Sequence, residues 1–216
     1  MKRKTLSNTE KVIDIDIPNN LIKGDQPACQ INALNVVFHN LGYDLDIERI
    51  KVIFNYDESD GAENERHNFQ KFNNELQKIG VPYRTNKIGY SDIHDTFVQF
   101  SDGKNGSCVP VFFEMSILKI IAPALKDVYE FNIGNNIYKE DKKHILLLIG
   151  YKKGGETLLF VDPLYQLPYA NKEPIKISYL DVSQHSRHIK SYIKIILDTY
   201  RLKDMKNKGQ TKIENS

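Results

Sequence analysis

Three residues have the types and the order needed for nucleophilic catalysis by a thiol: Cys29, His144 and Asp162. A thiol needs a base to become a nucleophile, and the imidazole serving as that base needs a carboxylate to fix its tautomer and stabilise its cation. Each residue also has an ordinary structural use: a small buried cysteine, a strand-end histidine, a turn aspartate before Pro163. The elements around them decide between these uses.

Cys29 lies in Asp25-Gln-Pro-Ala-Cys-Gln-Ile-Asn-Ala-Leu-Asn-Val-Val-Phe-His-Asn-Leu-Gly-Tyr43. The stretch reads as a helix that begins at or just before Cys29 and stops at Gly42. Pro27 suits its approach, and Asp25 or Gln26 offers a cap. Ile31, Leu34, Phe38 and Leu41 form one apolar stripe, and Cys29, Ala33 and Val36 a second, so the helix is expected to be buried on much of its circumference. A thiol in a first helical turn sits among unpaired N–H groups, a setting that favours the thiolate and offers donors to a developing oxyanion.

His144 opens a continuous apolar run to Tyr151, Lys152-Lys-Gly-Gly155 turns the chain, and Thr157–Asp162 returns. In such an antiparallel hairpin the start of one strand lies beside the end of the next, which brings Asp162 to His144. Upstream, Lys11–Ile17 alternates as a short edge strand, Leu45–Phe54 and Asn68–Ile79 read as helices, and Tyr56–Asn64 is an acidic loop. Val81–Ile88 reads as a strand, Ser91–Phe100 as a short helix and Gly103–Gly106 as a turn. Cys108–Glu114 reads as a buried strand, Ile117–Tyr129 as an apolar segment of open type, and Asn132–Lys143 as a polar loop. Ile175–Tyr179 and Ser191–Tyr200 complete the strands. A helical first half followed by an antiparallel second half predicts an α+β domain of two lobes.

The chain of 216 residues fits a single domain, 1–216, with an N-terminal arm over 1–20 and a flexible basic tail over 201–216. It is 40% hydrophobic and 27% charged with net charge +2, and its lysines are scattered among acids, which argues against nucleic acid as a partner. No apolar run approaches membrane length and none follows the basic start as a signal sequence, so the expectation is a cytoplasmic protein with reduced thiols and no membrane partner. Cys29 and Cys108 cannot form a disulfide framework, and Cys108, on an apolar strand, is expected to be structural. His185-x-x-His188 has metal-compatible spacing without a third ligand, and Asp57, Glu58, Asp60 and Glu63 lack the full calcium-loop pattern. No metal and no cofactor are expected.

A helix-start Cys29, then His144-Ile-Leu-Leu-Leu-Ile-Gly-Tyr151, then Phe160-Val-Asp-Pro163 resembles the papain-like cysteine peptidase superfamily. Within it the pattern is similar to the bacteriocin-leader-peptidase-like branch, which includes relatives of phytochelatin synthase. Cys29-Gln-Ile-Asn-Ala-Leu34 through Leu41-Gly-Tyr43 also resembles butirosin-biosynthesis-type acyltransferases. The resemblance implies a papain-like two-lobed fold, a nucleophile helix packed on an antiparallel sheet, and Cys29 as nucleophile, His144 as base and Asp162 as orienter. Two departures from the peptidase pattern matter: Ala28-Cys29-Gln30 stands where Asp-Cys-Gly is usual, and Lys23 where the oxyanion glutamine is usual, six residues before the cysteine. Gln26 or Gln30 is left as the substitute donor. Since losing one oxyanion donor costs about 10²–10³ in rate, the departures favour a thioester donor over an unactivated peptide. The expected function is therefore amide-forming acyl transfer through a thioester acyl-enzyme, from an acyl donor such as a carrier-protein thioester to an amine acceptor. The alternatives are a cysteine peptidase acting on a peptide and a non-catalytic binding module.

Overall fold

The computed structural model describes residues 10–22, 27–63, 65–88, 108–122, 143–152, 156–164, 173–185 and 189–207. In chain order the elements are β1 (Lys11–Val12), α1 (Cys29–Asn40), α2 (Ile47–Ile53), α3 (Arg66–Lys78), β2 (Tyr83–Ile88), β3 (Val109–Glu114), α4 (Met115–Ile121), β4 (Lys143–Lys152), β5 (Thr157–Val161), β6 (Ile175–Ser178), α5 (Tyr179–Gln184), β7 (Ile189–Leu197) and α6 (Thr199–Asn207). The strands make one seven-stranded sheet in the order β2-β7-β3-β4-β5-β6, with β1 added on β4. Every pairing is antiparallel.

The long strand β4 is the axis of the sheet. Its first half pairs with β3 from Lys143 to Leu148, and β1 continues on the same side at Gly150 and Tyr151, because β5 occupies the other. Gly150 is required there: a Cβ at that position would lie 2.5 Å from the Lys11 carbonyl oxygen. Side chains alternate across the sheet as period two demands. Ile145, Leu147 and Ile149 face α1, α2 and α3, where Phe38, Phe54 and Phe72 meet with ring centroids 5.6 Å apart. Leu146 and Leu148 face the other way, with Phe113 and Phe160, onto α4 and α5. The result is a mixed helix and antiparallel-sheet domain with a core on each face of the sheet.

Helix α1 is buried nearly all round, from Gln30 to Phe38. Two of its sides carry the predicted apolar stripes. A third, Asn32, Asn35 and His39 with Asn40, fastens the N-terminal arm. Asn32 binds both backbone groups of Ile22, Asn35 donates to Asn20, and Asn40 exchanges hydrogen bonds with the backbone of Asp16. This is why the alternation over Lys11–Ile17 makes only two residues of strand. After Ile13 donates to the Ile149 carbonyl, Ile15 and Ile17 turn onto the helical core and Asp16 is held by α1.

His39 sits between Asp44 at 2.8 Å and Asp16 at 3.2 Å. Its pKa is raised, Asp44 being the largest cause, with burial opposing and Asp16 adding. A raised folded pKa gives a stabilisation fully present below the unfolded value of about 6.5 and lost as pH rises through the folded one. His39→Gln is thus expected to lower the urea midpoint more at mildly acidic than at alkaline pH; an equal loss at both would refute this linkage.

Other boundaries shift for local reasons. Helix α2 begins at Ile47 because Asp46 caps it through the Arg49 amide, and α3 begins two residues early, at Arg66. The apolar segment of open type begins as α4, and β7 ends at Leu197 because Asp198 accepts from the amides of Tyr200 and Arg201, starting α6. The expected loose tail from Arg201 is therefore helical to Asn207, and Arg201 donates to the carbonyls of Asn73 and Tyr83. The expected Ser91–Phe100 helix, Gly103–Gly106 turn, most of the Asn132–Lys143 loop, the Gly154-Gly155 turn and the tail beyond Asn207 lie outside the described residues. Among the described residues no helix is long and apolar enough to cross a membrane.

Candidate active site

Cys29 is the first residue of α1 and is half-buried. Ala28 holds the cap position and its side chain makes no capping hydrogen bond; Asp25 and Gln26, the expected caps, lie outside the described residues. The first intrahelical bond is from the Asn32 amide to the Ala28 carbonyl, which leaves the amides of the first turn without intrahelical partners beside the thiol.

His144 is the second residue of β4, and Asp162 follows directly on β5. The register pairs Leu147 with Val161, so Asp162, the next residue, comes to the start of β4, where His144 stands. His144 Nε2 lies 2.8 Å from Asp162 Oδ2, and the Leu164 amide donates to Asp162 Oδ1 at 2.8 Å. His144 is 3% exposed and Asp162 fully buried. Burial pushes the imidazole pKa down, but the Asp162 charge and hydrogen bond, with a further hydrogen bond to Cys29, outweigh it and raise it to about 10. With Nε2 on Asp162, Nδ1 is the ring nitrogen left for Cys29. All three residues singled out in the sequence are thus brought together.

The loop after α2 closes one side. Tyr56 lies near enough to Cys29 to feel its charge, and burial, then Glu58, Asp57 and Cys29, raise its pKa to about 12. Gly61, at φ +85°, rests on Pro27, where a Cβ would come within 2.8 Å of the Pro27 oxygen. Gln30 is buried and its amide donates to the Glu63 carbonyl at 3.2 Å, so this donor ties the loop to α1. Gln26 and Lys23 lie outside the described residues.

Sequence reasoning missed Asn32. It stands one turn after Cys29, fully buried, and its amide nitrogen donates to the Ile22 and Pro163 carbonyls at 2.9 and 3.1 Å. It thereby joins α1 to the turn that carries Asp162. An apolar-stripe reading of α1 passes over it, and its position three residues after Cys29 was the available signal. Tyr56 was likewise placed only in a polar loop.

Cys108 is 1% exposed, and burial pushes its thiol up to about 12. Ellman's reagent is expected to titrate one thiol in the native protein and two after denaturation, and Cys108→Ser to leave Cys29 reactive; two fast native thiols would contradict this. Asp57 accepts from the Ser59 hydroxyl and from the Ser59 and Asp60 amides, which commits it to its own turn. Among the described residues no group of three histidine, cysteine or acidic side chains is placed to hold a metal; His188 lies outside them.

A solved structure of a protein from Bacillus anthracis, inferred to be a C39-like peptidase, is similar to this chain with a TM-score of 0.53 and 16% identity. The match covers 87% of this chain and 98% of that one. The two share a fold. That likeness is one of fold, a mixed helix and antiparallel-sheet architecture. No family model matches the chain, and no curated protein matches it.

Proposed function

We propose that this protein is a papain-like, two-lobed cysteine peptidase, with the helical layer and the sheet forming the two sides of its cleft. The observation that carries the reading is the buried His144–Asp162 pair, 2.8 Å apart, set beside a half-buried Cys29 at the start of α1. The fold shared with a C39-like peptidase supports it.

In this mechanism Cys29 Sγ attacks the scissile carbonyl, and the first-turn amides of α1, with Gln26 as the side-chain candidate, receive the oxyanion. The imidazolium of His144 passes its proton to the leaving amine as the C–N bond breaks, leaving a thioester on Cys29. Water then attacks the thioester while His144 takes its proton, and collapse releases the carboxylic acid and restores the thiol–imidazole pair. Asp162 holds the ring by Nε2 throughout.

A second reading is acyl transfer, in which an amine resolves a thioester formed from an activated donor. It is favoured by Gln30, whose amide donates to the Glu63 carbonyl rather than standing ready for an oxyanion. Intact-protein mass spectrometry with peptide and thioester donors tests both. The expected result is an acyl adduct on Cys29 that water discharges. Faster discharge by particular amines would select acyl transfer, and no adduct from any donor would select the binding module.

A further inference from the structure

Between α3 and β2 lies a groove of about 600 Å³ lined by Arg66, Gln70, Arg84 and Lys87, with Glu65 its one acid among the described residues. Asn73 closes its floor by binding both backbone groups of Thr85, so the two walls are fixed to each other. Arg66 is the first residue of α3, at the helix end where positive charge is disfavoured. Arg66 and Arg84 are exposed and have no ion-pair partner among the described residues. The Lys87 ammonium stands 5.6 Å from the centre of the Phe112 ring, and its pKa is lowered, first by burial and then by Lys143, with Glu65 opposing.

Residues of the groove are also neighbours of residues at the candidate site. Phe112, under Lys87, pairs with Ile145, and its neighbour Phe113 pairs with His144. Glu65 follows two residues after Glu63, whose carbonyl is bound by Gln30 beside Cys29. An extended chain running from Cys29 past these neighbours into the groove would meet cations on both walls.

We propose that this groove is the subsite for an acidic segment of the peptide substrate, with Arg66 and Arg84 receiving carboxylates from opposite walls and Lys87 set deeper. The proposal rests on the peptidase reading and names its substrate class. Guanidinium groups suit it, since each can grip a carboxylate by two parallel hydrogen bonds.

Calorimetric titration of the Cys29→Ala protein at low salt, with a hexapeptide of alternating glutamate and glycine and with its glutamine counterpart, tests it without turnover. The glutamate peptide is expected to bind about tenfold tighter or more, with an advantage that shrinks as salt rises. Arg66→Gln/Arg84→Gln should erase the preference while keeping the thermal unfolding midpoint close to that of the parent. Equal binding of the two peptides, no binding of either, or a preference that survives in the double variant overturns the proposal. Acidic-peptide binding by a wild-type protein that hydrolyses no peptide would instead overturn the peptidase reading and leave the subsite standing.

Discussion

Replacing Asp162 with asparagine is expected to slow acyl-enzyme formation by on the order of 10³–10⁴ while leaving the fold intact. The physical reason is the burial of His144. An imidazole that is 3% exposed would lose its proton readily, because burial disfavours the cation. The Asp162 carboxylate reverses this and raises the pKa to about 10. Asparagine keeps the shape and can still meet Nε2, but it removes the charge and allows the wrong tautomer. Burial then has only Cys29 against it, and the histidine pKa falls. The sign for stability follows: with the raised pKa, the His144 contribution is complete below the unfolded value of about 6.5 and disappears as pH rises through about 10. Nuclear magnetic resonance of the imidazole should find it protonated through neutral pH in the native protein and titrating at lower pH in Asp162→Asn. A variant with wild-type rates, or an imidazole whose titration does not move, would show that Asp162 does not support His144.

The meeting of Cys29, His144 and Asp162 was legible in the sequence because each sits where an element begins or ends, and such positions are fixed by local signals. Gly42 and Pro27 bracket α1, and the apolar run from His144 and its return to Asp162 define a hairpin whose register follows from pairing alone. The core was legible for the same reason: the continuous apolar runs of β3, β4 and β5 are those of strands buried on both faces, and the helical spacing of Phe69, Phe72 and Leu76 admits one buried side. What stayed hidden was polar and nonlocal. Asn32, Asn35 and Asn40 look like ordinary helical surface, yet they bind groups 10–24 residues away, Asn35 the Asn20 side chain and the other two the backbone, and Asn32 reaches Pro163 at a separation of 131. No periodicity announces such a partner. Gln30 misled in the opposite sense: its place next to Cys29 suggested an oxyanion donor, but the Glu63 carbonyl claims its amide. The groove between α3 and β2 was invisible because Arg66 and Arg84 become neighbours only when β2 joins the sheet beside β7.

Asn32→Leu is expected to destabilise the protein by roughly 3–5 kcal/mol and to slow the chemistry as well. Leucine matches the side chain closely in size, so the cost comes from hydrogen bonds. The substitution leaves the Ile22 amide, the Ile22 carbonyl and the Pro163 carbonyl without their partners, and each unsatisfied buried group costs about 1–3 kcal/mol, less where water can reach it. Asn32→Asp separates the contributions. It keeps an oxygen for the Ile22 amide but turns a second oxygen toward two carbonyls that need a donor, so it should be as damaging as leucine although it remains polar. The kinetic effect comes through Pro163, since the Asn32 bond holds the Asp162 turn against the helix one turn from Cys29. At a temperature where the variant is still folded, acyl-enzyme formation should therefore be slower than in a control core variant of equal stability. Asn32→Leu within about 1 kcal/mol of the parent in urea unfolding, or slowed no more than that control, would reduce Asn32 to ordinary packing.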